Sequence, residues 1–260
     1  MTDRAETGRL QSVALALSLT SGLCAAAPVV AAEITVSAAA SLTQAFKAIE
    51  SAFERQRPGT DVVLNFGASD VVLQQIMAGA PVDVFASADQ VAMDRAVAAS
   101  AVVAATRIDF ATNRLVVIVP EARAKSLTSV KSLADASVRR VAYGNPASVP
   151  VGRYAQAALQ RDGLWDAVSA KGIPAQNVRQ ALDYVARGEV DAGIVFATDA
   201  AVMPHAVRIA AELPSVAPVT YPIARTTSAQ EVREADAFVA FVRSTDGQRI
   251  LAEHGFGRAP

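Results

Sequence analysis

The sequence predicts an α/β protein of two lobes, with parallel-rich sheets and a ligand cleft at the hinge between the lobes. Three observations predict it. Strand-like and helix-like segments alternate from Glu33 onward, the same alternation restarts at Leu115, and no Pro/Gly/Ser-rich linker separates the two runs. A βαβαβ order favours a mostly parallel sheet covered on both faces. A join made by a crossing strand rather than a tether makes a hinge, and the cleft beside it is where a ligand sits.

The chain opens on an export signal. Arg4 and Arg9 lie in a polar start, an apolar run extends from Leu10 to Ala32, and Val30-Ala31-Ala32 supplies small residues for cleavage ahead of Glu33. A cleavable signal peptide is therefore expected over 1–32, and with it a periplasmic location. Cys24, the one cysteine, falls inside this segment and follows Leu23 rather than a small residue, so lipidation is not expected. What remains has no thiol, disulfide or thiolate metal site.

In the first run, Ile34-Thr35-Val36 reads as a strand, and Leu42, Phe46, Ile49 and Phe53 recur at helical spacing. Asp61 to Phe66 is a second strand. Val71, Val72, Gln75 and Ile76 form a helix that stops near Gly79-Ala80-Pro81. Asp83 to Ala86 is a third strand, followed by a helix from Asp89 to Ala99. In the second run, Leu115 to Val119, Arg140 to Tyr143 and Gly193 to Phe196 are strands. Helices carry Val151, Tyr154, Ala155, Ala158 and Leu159, then Val178, Ala181, Leu182 and Val185. A C-terminal helix carries Val232, Ala235, Val239 and Val242. The segment from Ala111 to Arg114 reads as the crossing strand. The expected lobes are 33–113 with 223–260, and 114–222.

Hydrophobic residues make up 52% of the chain, charged residues 19%, and the net charge is −1. That balance offers no field for nucleic acid or an anionic membrane. His205 and His254 are far apart in sequence and have no metal-ligand spacing. No P-loop and no paired carboxylates stand out, so an enzyme is not expected.

The informative positions are starts of helices after strands. Ser41 begins one, with Gln44 three residues on in a capping-box arrangement. Ser69 opens the next, Pro150-Val151-Gly152 a third and Asn177-Val178 a fourth. Helix starts present unpaired N–H groups and a partial positive charge. Several of them converging on a cleft can hold a dianion without Lys or Arg. Asp70, beside Ser69, is expected to point to solvent.

Four motifs resemble the periplasmic molybdate-binding proteins of molybdate ABC transporters. They are Ile34 to Thr43 (ITVSAAASLT), Gly79 to Asp89 (GAPVDVFASAD), Val149 to Ala155 (VPVGRYA) and Gly193 to Ala200 (GIVFATDA); Tyr221-Pro222 also fits. The match runs in order from Ile34 to Phe256. The resemblance implies the type II periplasmic-binding-protein fold. It implies molybdate, and tungstate with it, as ligand, with molybdenum present only as the oxyanion and no cofactor. It also implies an ABC permease as partner, with contact to the membrane only through that permease, and a monomer. The family's two ligand-binding serines fall on Ser41 and Ser69, and its backbone donors in the second lobe fall on Val151 and Val178. Its ligand-binding tyrosine falls on Phe196, which has no hydroxyl. One hydrogen bond to a charged group contributes about 1.5–3 kcal/mol, so about tenfold to a hundredfold weaker binding is expected. Tyr184 and Thr198 are candidate replacements. The alternative is another tetrahedral oxyanion such as sulfate, with specificity altered at Phe196.

Overall fold

A computed structural model describes residues 1–2, 32–123 and 127–259. The expected signal peptide, Cys24 included, lies outside the described residues apart from its ends. The chain divides into Met1–Val30 and a compact unit over Ala31–Pro260, and the fold lies in the second.

The first run builds β1 (Ala32–Ala39), α1 (Thr43–Gln56), β2 (Thr60–Gly67), α2 (Ser69–Met77), β3 (Val84–Ala86), α3 (Gln90–Ala98) and β4 (Ile108–Asn113). The apolar spacing of α1 buries Ala45, Phe46, Ile49, Ala52 and Phe53 on one face. After β4 only Arg114 intervenes before β5 (Leu115–Pro120), whose six residues are all buried. The second run continues with β6 (Val141–Gly144), α4 (Pro150–Arg161), α5 (Trp165–Ser169), β7 (Gly172–Ala175), α6 (Val178–Ala186), β8 (Ala192–Phe196), α7 (Ala197–Ala200) and β9 (Val207–Glu212). The chain then returns through residues 213–218 to β10 (Val219–Arg225), α8 (Val232–Arg243), α9 (Thr245–Glu253) and β11 (Gly257–Arg258).

Two sheets result, in the orders β11-β4-β10-β3-β1-β2 and β7-β6-β8-β5-β9. Both are mixed. β1 pairs in parallel with β2 and β3, and β6 with β7 and β8. The strands that carry the chain across, β4, β5, β9 and β10, all pair antiparallel. Strands that arrive from the other lobe have no crossover helix to impose parallel direction.

Each lobe keeps its helices close to its sheet. In the second, the start of α4 lies against the turn after β6: a Cβ at Gly152 would stand 1.9 Å from the Gly144 carbonyl oxygen. Only glycine permits that approach, which sets the first turn of α4 beside the strand ends. In the first lobe, Phe46, Phe53, Phe110 and Phe238 meet at centroid distances of 5.3–6.0 Å. Tyr221, fully buried on β10, extends this aromatic chain to Phe256 at 5.4 Å and to Phe196 of the second lobe at 5.7 Å.

Candidate oxyanion site

The ends of β1 and β2, and the starts of the helices after them, bring Ser41 and Ser69 to the lining of a small cavity. The starts of α4 and α6 bring Val151 and Val178 to the same lining, and the end of β8 brings Phe196. All five residues singled out from the sequence line this one cavity, together with Ala39, Ala40, Gly67, Ala68, Ala88, Val149, Pro150 and Asn177. It has about 210 Å³ of empty space, tight enough that the lobes as they stand admit little more than a water-sized occupant. A wider recess of about 850 Å³ adjoins it but shares only Ser41 with it.

No charged side chain lines the cavity; what it offers is donors. Val151 and Val178 stand in the first turns of α4 and α6, where a helix has no acceptor for its own N–H groups. Pro150 occupies the first position of α4, so Val151 carries its first N–H. Asn177 caps α6 by accepting from the Gln180 N–H at 3.0 Å. Ser69 Oγ accepts from the Ala88 N–H at 3.0 Å, which leaves its own hydrogen to be donated elsewhere. Ser41 Oγ lies 3.1 Å from the Tyr221 hydroxyl.

Two expectations about neighbouring residues are corrected. Gln44 forms no capping box: the N-cap of α1 is Leu42, with no side-chain cap, and Ser41 sits in a 3-10 turn over Ala40–Leu42. That tight turn ends the hydrogen-bonding frame a capping box would need, and the Gln44 amide oxygen instead accepts from Arg179 at 2.5 Å. Asp70 does not point to solvent. It is buried, 2.6 Å from both Arg95 and Arg153. Two guanidinium partners offset the desolvation that made exposure the simpler expectation.

The same Arg153, on α4, reaches Asp89 of the first lobe at 2.7 Å. It thereby binds two carboxylates of one lobe to a helix of the other. Burial pushes the Asp89 carboxyl up, against the pull of Arg153. Burial alone would lower Arg153, but Asp89 and Asp70 outweigh it and hold the guanidinium above its usual range. A second such contact runs through Arg179 on α6, which donates to the Ser41 carbonyl and to Gln44. Arg179 also lies 2.5 Å from the fully buried Asp199, at an angle that makes an ion pair without an aligned hydrogen bond. Burial pushes the Asp199 carboxyl up to about 6 even so. Both arginines are engaged by protein carboxylates and neither lines the cavity, although Arg153 Nη1 is buried without a hydrogen-bond partner.

Of the two candidate replacements for a donor at Phe196, neither Tyr184 nor Thr198 lines the cavity. Thr198 instead accepts from Asn113 at 2.9 Å. Sequence reasoning missed the roles of Tyr221, Asn113, Arg153 and Arg179. The Tyr221-Pro222 pair marked its position, but nothing local marked the partners. His254 ends α9 with Nδ1 2.8 Å from the Ile250 carbonyl, as a structural histidine. Among the described residues, no cluster of His, Cys, Asp or Glu could hold a metal ion.

Two lobes joined by crossing strands, with helix starts from each converging on one small cavity, define a solute-binding protein. Comparison with known proteins agrees. Residues 34–257 match the model of the bacterial extracellular solute-binding protein family. The molybdate-binding protein ModA of Escherichia coli is 40% identical over 232 residues, 86% of this chain and 88% of that one. ModA of Haemophilus influenzae is 33% identical, over 86% and 90%. The solved periplasmic molybdate-binding protein of Azotobacter vinelandii superposes with a TM-score of 0.76 at 26% identity, covering 87% of this chain and all of that one. The chain belongs to the bacterial extracellular solute-binding proteins, in the ModA family.

Proposed function

We propose that this protein is the periplasmic component of an ABC importer that binds molybdate, and tungstate equally, and hands it to a membrane permease. It is a binding protein, not an enzyme, and the oxyanion is its ligand rather than a cofactor. The observation that carries this reading is the small, charge-free cavity at which Ser41 and Ser69 from one lobe meet the first turns of α4 and α6 from the other. A fully ionised tetrahedral dianion offers acceptors only. Serine hydroxyls and helix-start N–H groups offer donors, and the helix dipoles favour negative charge. In this reading the ligand is held by the hydroxyls of Ser41 and Ser69 and the N–H groups of Val151 and Val178, with the Phe196 ring closing the wall.

Selectivity follows from the same chemistry. Monohydrogen phosphate carries a hydrogen that needs an acceptor, so a site of donors disfavours it. Sulfate is smaller and leaves the donors stretched. The lobes, built on the two sheets, bend about Arg114 and residues 213–218. Closure buries the ion, and Arg153 and Arg179 tie the lobes together once closed. The protein acts as a monomer, exported by its cleaved signal peptide.

Calorimetric titration of the compact unit 31–260 with molybdate, tungstate, sulfate and phosphate tests this. One-to-one binding of molybdate and tungstate, with sulfate and phosphate silent, is the expected result. Absence of heat with molybdate, or a preference for sulfate, overturns the assignment.

A further inference from the structure

The Tyr221 hydroxyl is fully buried and has two partners among the described residues, Asn113 Nδ2 at 3.2 Å and Ser41 Oγ at 3.1 Å. The orientation of Asn113 is set by the backbone. Its Oδ1 accepts from the Arg114 N–H at 2.9 Å, so the other end of the amide is the NH2 group, which donates to Tyr221 and to Thr198 Oγ1 at 2.9 Å. An amide nitrogen cannot accept. The tyrosine hydrogen therefore has Ser41 Oγ as its acceptor, since a buried hydroxyl left unsatisfied is costly. Burial also pushes the Tyr221 hydroxyl well above its usual range, which keeps it protonated and able to donate.

We propose that Tyr221 and Asn113 form a directed relay, Arg114 N–H to Asn113, Asn113 to Tyr221, Tyr221 to Ser41, that biases the Ser41 hydroxyl toward donating into the ligand cavity. This rests on the oxyanion reading of that cavity. Ser69 is oriented in the same sense by the Ala88 N–H, so each serine has one of its two lone pairs occupied by the protein and its hydrogen left for the cavity. A lone serine hydroxyl rotates and can accept as readily as it donates. It would tolerate a protonated anion. The relay takes one of its two lone pairs and turns its hydrogen away from Tyr221, which favours donation into the cavity. Tyr221 and Asn113 are thus positioning residues for selectivity, and both lie on β10 and β4, the strands that flank the lobe crossings.

The relay also polarises the serine. A hydroxyl that accepts one hydrogen bond donates a stronger one, which offsets part of what is missing at Phe196.

The test is a double-mutant cycle in the compact unit 31–260 at pH 8, read by calorimetry with molybdate, and with inorganic phosphate, there largely monohydrogen phosphate, as a high-concentration competitor of molybdate, so that an affinity too weak for direct titration is still read. The wild type comes first. If it binds no oxyanion, the reading of the cavity fails, independently of the relay. With the wild type binding molybdate, Tyr221→Phe should weaken molybdate about three- to tenfold and narrow the molybdate-to-phosphate ratio about tenfold or more. In the Ser41→Ala background, Tyr221→Phe should leave that ratio unchanged, because no serine hydroxyl remains to orient. Asn113→Asp, which accepts where Asn113 donates, should likewise narrow the ratio. Loss of affinity by the same factor for both anions, or a ratio change that persists in the Ser41→Ala background, overturns the relay and reduces Tyr221 to a packing residue.

Discussion

Replacing Phe196 by Tyr restores a hydroxyl at a wall where the ModA resemblance expects one. Phe196 is 1% exposed, lines the cavity, and is held edge-on between Tyr154 at 6.4 Å and Tyr221 at 5.7 Å. Those rings fix the position of the new oxygen without a search through rotamers. A hydrogen bond to the charged ligand contributes about 1.5–3 kcal/mol. At about 1.4 kcal/mol per decade, that is about tenfold to a hundredfold tighter binding. The opposing effect is crowding, because the cavity has only about 210 Å³ of empty space and buried residues line most of it. Overpacking costs about 1–3 kcal/mol, but the oxygen occupies space only where the ligand's own oxygens approach it, and the lobes can yield by opening slightly. A net gain near tenfold is therefore expected. Calorimetric titration with molybdate measures it, with thermal unfolding of the unliganded variant run alongside. An unchanged or weaker dissociation constant refutes the argument that this wall lacks a donor.

Three more perturbations separate parts of the site. Ser69→Ala removes a donor to the ligand and the acceptor of the buried Ala88 N–H; binding should weaken about tenfold to a hundredfold and Tm fall by a few degrees, and unaltered titration curves would remove Ser69 from the site. Arg153→Ala leaves Asp70 and Asp89 without their counter-ion across the cleft. Breaking such a pair costs about 3–5 kcal/mol in the closed form, so small-angle scattering of the unliganded variant should show a more open particle; superimposable curves would deny the tie. Asp199 gives a pH signature. Its folded-state value, pushed up to about 6, lies above the unfolded value near 3.8, so the native state binds the extra proton between these limits. Stability should then fall as pH rises through that window, by roughly 2–3 kcal/mol, and level off above it. Urea denaturation of Asp199→Asn between pH 4 and 7 should lack this slope, and parallel slopes in the two proteins would refute it.

Much of the site was legible because its parts are local. A strand end followed by a serine, or by Pro-Val-Gly, marks a helix start within a few residues, and a helix start has free N–H groups wherever it lies in a fold. Ser41, Ser69, Val151, Val178 and Phe196 stand out by residue type and position along the chain, and they line one cavity. The alternation of segments likewise showed two α/β runs and the crossing near Ala111 to Arg114. The mixed character of the sheets was less visible, because a strand's direction depends on which strand it joins, and β4, β5, β9 and β10 join across gaps that no local pattern records.

Asp70 shows where local reasoning stops. A carboxylate next to a helix start is cheapest in water, and nothing within several residues contradicts that. One of its two partners, Arg153, is 83 residues away on the other lobe. Gln44 meets Arg179 across 135 residues, and Ser41 meets Tyr221 across 180. The kind of site, one of hydroxyls and helix-start N–H groups with no cation of its own, could be read along the chain, because those properties belong to residue type and to the local backbone. How the two arginines are engaged, how the lobes are tied and which way the Ser41 hydroxyl points came from the folded arrangement. Each of these depends on a contact between distant segments, and a hydroxyl's role as donor or acceptor is set by the neighbour that folding brings to it.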